Sequence, residues 1–141
     1  MKKVLIINAN YYKKVTNKLL NSTSKILKKK GINTNLAVVP GVFEIPITIR
    51  KNIKKFDAFI AIGCVIKGDT PHFDLICKSS FYSISMLSII YNKPIGNGII
   101  TALNKKQAYQ RCGIIKSKKK NKGLEAALAV LSVLKNGYKK I

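Results

Sequence analysis

Apolar positions along this chain follow two spacings that alternate from one segment to the next. "KVLIINA" (residues 3–9) is an unbroken apolar run, the pattern of a strand buried on both faces and therefore of a parallel sheet. Residues 12–30 then place Val15, Leu19, Leu20, Ile26 and Leu27 at helical spacing among lysines, and Gly31 supplies a stop. "INTNLAVV" (32–39) alternates as a second strand, Pro40-Gly41 turns the chain, and 43–55 reads as a helix with Pro46 in its first turn. "FDAFIAIGCVI" (56–66) is the strongest buried strand in the sequence.

A long helix is predicted from Pro71 to Tyr91, because Phe73, Ile76, Cys77, Ile84, Leu87 and Tyr91 share a face. Its serines Ser79, Ser80, Ser83, Ser85 and Ser88 permit close approach of a neighbour. "PIGNGII" (94–100) reads as a fourth strand, 105–112 as a short helix, and 122–136 as a last helix so apolar all round that something must cover it. Strands alternating with helices predict an α/β three-layer sandwich with a four-stranded parallel sheet, in one domain over residues 1–141.

Composition narrows the class. A chain of 141 residues that is 47% hydrophobic can bury one core. The three cysteines, Cys64, Cys77 and Cys112, are odd in number and lack C-x-x-C spacing, which predicts neither a disulfide framework nor a zinc site and points to a reducing cytosol. The apolar stretch after the two N-terminal lysines breaks at Asn8, too early for a signal peptide, and no membrane span is expected from the sequence. Lys and Arg number 27 against five Asp and Glu, a net charge of +22 that favours anionic ligands. The lysines are scattered and do not interleave with aromatics, which argues against nucleic acid as the main partner.

Against that charge, "GDTPHFD" (68–74) gathers two of the five acids and the only histidine. It joins the best strand to the long helix, with Thr70 expected as N-cap and Pro71 at the first helical position. Ligands bind beyond the carboxyl ends of strands in open α/β sheets, and free amides at a helix N-terminus attract phosphate. Gly68 would let the backbone approach such an anion, and His72 would stand beside it as an acid/base or as an ordinary hydrogen-bonded surface histidine. Asp69 and Asp74 can serve the site or charge-balance the helix start. Glu44, in "VPGVFEIP", can accept hydrogen bonds from ligand hydroxyls or from the amides of its own helix. Tyr11 and Tyr12 can stack on a flat ring or cover the sheet edge. Arg111 and Lys122 flank a lysine-rich loop, where either cation can bind phosphate or face solvent. Cys64 and Cys77 read as core residues.

"VPGVFEIP", "GCVIKGDTPHFD", "PIGNGIIT", "QAYQRCG" and "NKGLEAAL" together, spread over nearly the whole chain, resemble the lumazine synthase (6,7-dimethyl-8-ribityllumazine synthase) family. The resemblance implies a flavodoxin-like fold and a cofactor-free, metal-free condensation in riboflavin biosynthesis. The implied substrates are 5-amino-6-(D-ribitylamino)uracil and 3,4-dihydroxy-2-butanone 4-phosphate, which yield the lumazine, phosphate and water. It gives His72 proton transfer, Gly68, Asp69 and Thr70 the phosphate turn, and Arg111 the phosphate's charge partner. Tyr11 takes the place of the aromatic that stacks on the pyrimidine, while Val42, Phe43 and Glu44 hold the ribityl chain. Cys64, Val65 and Ile66 lie along the pyrimidine, Asn97 and Gly98 match a loop closing over it, and Lys122 lines the pocket wall.

Sites in this family form between subunits of a pentamer, with Asn97, Arg111 and Lys122 expected from the neighbour. The sheet begins at Lys3 without the extension of many shell-forming members, so the implied homo-oligomer is a pentamer by default or a multiple of it. Riboflavin synthase is a possible partner on the same ground. The chain departs from the family pattern in having Tyr11 where Phe or Trp is commoner and in lacking an acid in "TALNKKQA". Its loop "IIKSKKKNK" is also a few residues longer.

Overall fold

The computed structural model describes residues 2–135 and 138–141. Four parallel strands, β1 (Lys3–Ala9), β2 (Asn33–Val39), β3 (Ala58–Ile66) and β4 (Ile95–Ala102), form one sheet in the order β2-β1-β3-β4. The helices are α1 (Lys13–Lys29), α2 (Ile45–Asn52), α3 (His72–Tyr91), α4 (Lys105–Cys112) and α5 (Lys122–Leu134), with a 3₁₀ turn at Val42–Glu44. Helices α1, α4 and α5 cover one face through Val15, Leu19, Ala108 and Val130 packed on Val4, Ile6, Ile60 and Ile62. The 3₁₀ turn, α2 and α3 cover the other through Val42, Ile45, Ile49 and Ile84 on Leu5, Ile7, Phe59 and Ile99. This is the predicted three-layer sandwich, in a flavodoxin-like, single-domain arrangement.

The central strands β1 and β3 are buried on both faces because both faces carry helices. β2 is an edge strand, and only one of its faces is covered. Ala37 and Val39 pack inward, whereas Leu36 and Val38 stay about half exposed. From β1 the chain moves outward to β2 and then returns across β1 to β3, so the strand order reverses between β1 and β3. A crevice opens at such a reversal, beyond the carboxyl ends of the two strands.

Two boundaries differ from the sequence reading. The helix expected over 43–55 is a 3₁₀ turn followed by α2, with Pro46 in the first turn of α2, where its missing N–H leaves no bond unmade. Thr70 is not the N-cap of α3: Pro71 holds that place, and no side chain caps the helix. Residue 136, the predicted end of the last helix, lies outside the described residues.

Helix α3 is long and apolar enough to cross a membrane by length and composition alone, although His72, Asp74, Lys78 and its serines interrupt the apolar run. Its 20 residues pack on the sheet through Ile84, with Ile76, Phe81, Leu87 and Tyr91 partly buried beside it. Leu75, Tyr82, Ile89 and Ile90 on the remaining surface are exposed.

Candidate active site

A groove of about 540 Å³ occupies the crevice between the ends of β1 and β3. Tyr11 and Tyr12, just after β1, form one wall, packed edge to face with ring centroids 4.9 Å apart. The turn after β2 supplies Gly41, Val42, Phe43 and Glu44, the end of β3 supplies Cys64, Val65 and Ile66, and the start of α3 supplies His72 and Ile76. Tyr11 and Phe43 are 75% and 64% exposed, so two large apolar surfaces stand open at the mouth. The lining is mostly apolar with a few polar groups, the usual make-up of a small-molecule site.

Local packing seats the Glu44 turn. A Cβ placed on Gly63 would lie 2.6 Å from Val42 Cγ2, so only glycine there lets the turn settle on β3. Glu44 makes no side-chain cap to α2, and its Oε2 is buried without a hydrogen-bond partner in the protein. Of the two uses open to Glu44 in the sequence, capping is therefore the one it does not serve.

Burial pushes the Cys64 thiol up to about 12, with Cys112 adding to the effect, so the thiol stays protonated at neutral pH. Burial, and secondarily Tyr11, raises the Tyr12 phenol as well. Cys77 is also raised, first by burial and then by Asp74, and all three cysteines are free thiols. No cluster of three metal-ligating side chains occurs among the described residues.

Arg111 and Lys122 line a second, smaller cavity of about 340 Å³ with Thr101, Gln107, Gln110 and Lys119. They are brought together by Asn121. Its Oδ1 accepts from the Gly123 and Leu124 amides at 2.9 and 3.1 Å, capping α5, while its Nδ2 donates to the Cys112 carbonyl at 2.9 Å. Gly123 lets α5 press on α1, since a Cβ there would stand 2.5 Å from the Leu19 carbonyl. Arg111 Nη2 lies 3.3 Å from Glu125 Oε2.

The site residues inferred from sequence thus fall into separate places. Tyr11, Val42, Phe43, Glu44, Cys64, Val65, Ile66 and His72 share the first groove. Arg111 and Lys122 share the second. Gly68, Asp69 and Thr70 are exposed in the loop before α3, where the space beside the Gly68 Cα is open. Asn97 and Gly98 are not in a loop: both sit inside β4. Asn97 Oδ1 accepts from the Ile99 amide at 3.1 Å. Gly98 is a packing requirement, because a Cβ there would stand 2.8 Å from the Ala61 carbonyl. Sequence reasoning passed over Glu125, Asn121, Gly63 and Ile76. Of these only Glu125 carried a signal, as one of five acids and one helical turn beyond Lys122.

The fold and the groove define a flavodoxin-like α/β protein with an open groove at its strand-order reversal. Residues 1–136 match the family model for 6,7-dimethyl-8-ribityllumazine synthase. The chain is 38% identical to the 6,7-dimethyl-8-ribityllumazine synthase of Campylobacter curvus, over 99% of this chain and 90% of that protein. It is 36% identical to those of Bartonella bacilliformis and Aliarcobacter butzleri, over 94% of this chain and 90% and 86% of theirs. The chain belongs to the 6,7-dimethyl-8-ribityllumazine synthase family.

Proposed function

We propose that the protein condenses 5-amino-6-(D-ribitylamino)uracil with 3,4-dihydroxy-2-butanone 4-phosphate to form 6,7-dimethyl-8-ribityllumazine. The observation that carries this is the meeting of an exposed tyrosine, an unpartnered carboxylate and the single histidine in one groove of a chain of this family. Tyr11 offers its face to the pyrimidine. Glu44 and the Val42–Phe43 backbone receive the ribityl hydroxyls, and Cys64, Val65 and Ile66 form the apolar floor under the ring. Gly68, Asp69 and Thr70 meet the phosphate beside the start of α3, and Arg111 neutralises its charge.

The reaction needs proton transfer and alignment. The pyrimidine's 5-amino group attacks the ketone and expels one water as the imine forms. Loss of a proton from carbon and departure of phosphate follow. The enol so left tautomerises to a new carbonyl and a methyl group, the ribitylamino nitrogen attacks that carbonyl, and a second water leaves as the ring closes. His72, at the groove wall, takes and returns protons in these steps, while holding both partners in one groove makes the condensation effectively intramolecular.

Within one chain Arg111 and Lys122 line a different cavity from His72, which supports a site completed by a neighbour. We therefore place Asn97, Gly98, Arg111 and Lys122 on the adjacent subunit of a homopentamer. The exposed Leu75, Tyr82, Ile89 and Ile90 of α3 and Leu128 and Val133 of α5 support burial between copies. Three free thiols fit a cytoplasmic protein.

The test is to mix purified protein with both substrates and follow lumazine absorbance above the uncatalysed rate, with particle mass measured by light scattering. Acceleration by particles holding a multiple of five 15.6 kDa chains is expected. Folded protein without acceleration would overturn the activity, and an active single chain would overturn the shared site.

A further inference from the structure

The second cavity is walled by charge of one sign. Arg111, Lys119 and Lys122 line it with Thr101, Gln107 and Gln110, and among the described residues no carboxylate does. Its wall is mostly polar, whereas that of the first groove is mostly apolar. Arg111 and Lys122 have a part in the proposed reaction; Lys119 has none so far. It is one of four lysines between Gly113 and Asn121, and of these it alone lines the cavity.

Local bonds put Lys119 there. Its amide donates to Ser117 Oγ at 3.2 Å, a side-chain turn two residues before Asn121. Asn121 is tied both to the Cys112 carbonyl and to the first amides of α5. Arg111 precedes Cys112 and Lys122 follows Asn121, so that one residue holds their attachment points together, with Lys119 just upstream. The only salt bridge among the described residues joins Arg111 to Glu125, which leaves Lys119 and Lys122 without a carboxylate partner. Like charges around one opening repel, and an anion among them removes that cost. Lys116, Lys118 and Lys120 are exposed and line no part of this cavity.

We propose that Lys119 is a further ligand of the phosphate group of the butanone phosphate and helps select that substrate by its charge. A phosphate dianion takes several donors at once. The Arg111 guanidinium offers a planar fork, while Lys122 and Lys119 offer ammonium groups on flexible stems that turn to the remaining oxygens. Lys119 is exposed, so solvent weakens its attraction and its share is smaller than that of Arg111. This rests on reading the second cavity as the phosphate's side of the shared site. A lysine that only keeps the loop solvated predicts otherwise: its loss would matter no more than the loss of its neighbour Lys118.

Lys119→Gln and Lys118→Gln remove the same charge from adjacent positions and separate the two readings. The measurements, on the assembled enzyme, are KM for each substrate, inhibition by inorganic phosphate, and melting temperature. Lys119→Gln is expected to raise KM for the butanone phosphate roughly threefold to fivefold and to weaken inhibition by inorganic phosphate alike, with KM for ribitylaminouracil unchanged. Lys118→Gln should change none of these, and Lys119→Arg should restore most of the loss. Equal effects of the two Gln variants would assign the change to overall charge and overturn the role of Lys119. An unchanged KM in Lys119→Gln, where Arg111→Ala raises it, overturns that role as well. So does a rise in both KM values with a lower melting temperature, which would mark a structural lysine. If Arg111→Ala also leaves KM for the butanone phosphate unchanged, the reading of the cavity fails and takes the proposal with it.

Discussion

The Arg111 guanidinium lies 3.3 Å from the Glu125 carboxylate, the one salt bridge among the described residues of a chain with 27 basic and five acidic side chains. Both side chains are about a third exposed, at 32% and 39%, so the pair adds little to stability. Its consequence is orientation: Glu125 holds the guanidinium beside the second cavity, and under the proposed function a phosphate, with more charge, would compete for it. Arg111→Ala is expected to raise KM for the butanone phosphate roughly tenfold or more, as lost charged hydrogen bonds do, while the denaturation midpoint barely moves. Steady-state kinetics with urea titration checks both, and an unchanged KM would remove Arg111 from phosphate binding.

His72 is exposed at the start of α3 and supports no core packing. His72→Ala is therefore expected to fold and assemble normally while kcat falls by roughly 10²–10⁴-fold, the usual contribution of a positioned acid or base. Full turnover in that variant would show that solvent or another group moves the protons.

Gly63→Ala places a methyl 2.6 Å from Val42 Cγ2. Overpacking of this kind destabilises by about 1–3 kcal/mol, and the displaced turn carries Glu44, so KM for ribitylaminouracil is expected to rise in parallel. Adding Val42→Ala makes room and should restore part of the lost stability. Chemical denaturation of the single and double variants decides: if the second substitution only deepens the loss, the contact is not the cause.

The Cys64 thiol, raised from the ordinary 9.0 to about 12 by burial, gives a pH signature of known sign. The folded state binds that proton more tightly than the unfolded chain. Its contribution is fully present below pH 9 and is lost as pH rises towards about 12. Iodoacetamide at pH 7.5 should leave Cys64 unmodified in the native protein and label it after denaturation, as read by peptide mass. Native labelling at a rate typical of free thiols would mean that Cys64 is open and ionising.

Much of this was legible in the sequence, for reasons that differ by element. β3 announces itself because both of its faces are covered, so nine residues in a row avoid charge. The groove residues follow from topology, since whatever stands after β1, after β2 and at the end of β3 must meet where the strand order reverses. Gly98 was read within the fourth strand from its pattern and in a loop only from the resemblance; that it lets α5 and β3 close on β4 is visible only in the fold. Gly63 and Asn121 were invisible for a related reason: each acts on a partner, Val42 or the Cys112 carbonyl, that only the folded chain brings near. The exposed apolar residues of α3, Leu75, Tyr82, Ile89 and Ile90, lie outside the face that helical spacing picks out, so the sequence pattern alone gave them no place.

The bond from Asn121 Nδ2 to the Cys112 carbonyl also closes the base of the lysine-rich loop like a clasp. With the clasp shut, the loop's two ends keep their separation whatever its length. Loop closure grows only with the logarithm of length, so doubling the segment would cost about 0.6 kcal/mol. The stretch between Ile115 and Lys118 is thus free to vary in length, and a peptide inserted there would leave the first groove where it is, whereas Lys119 beyond it belongs to the wall of the second cavity.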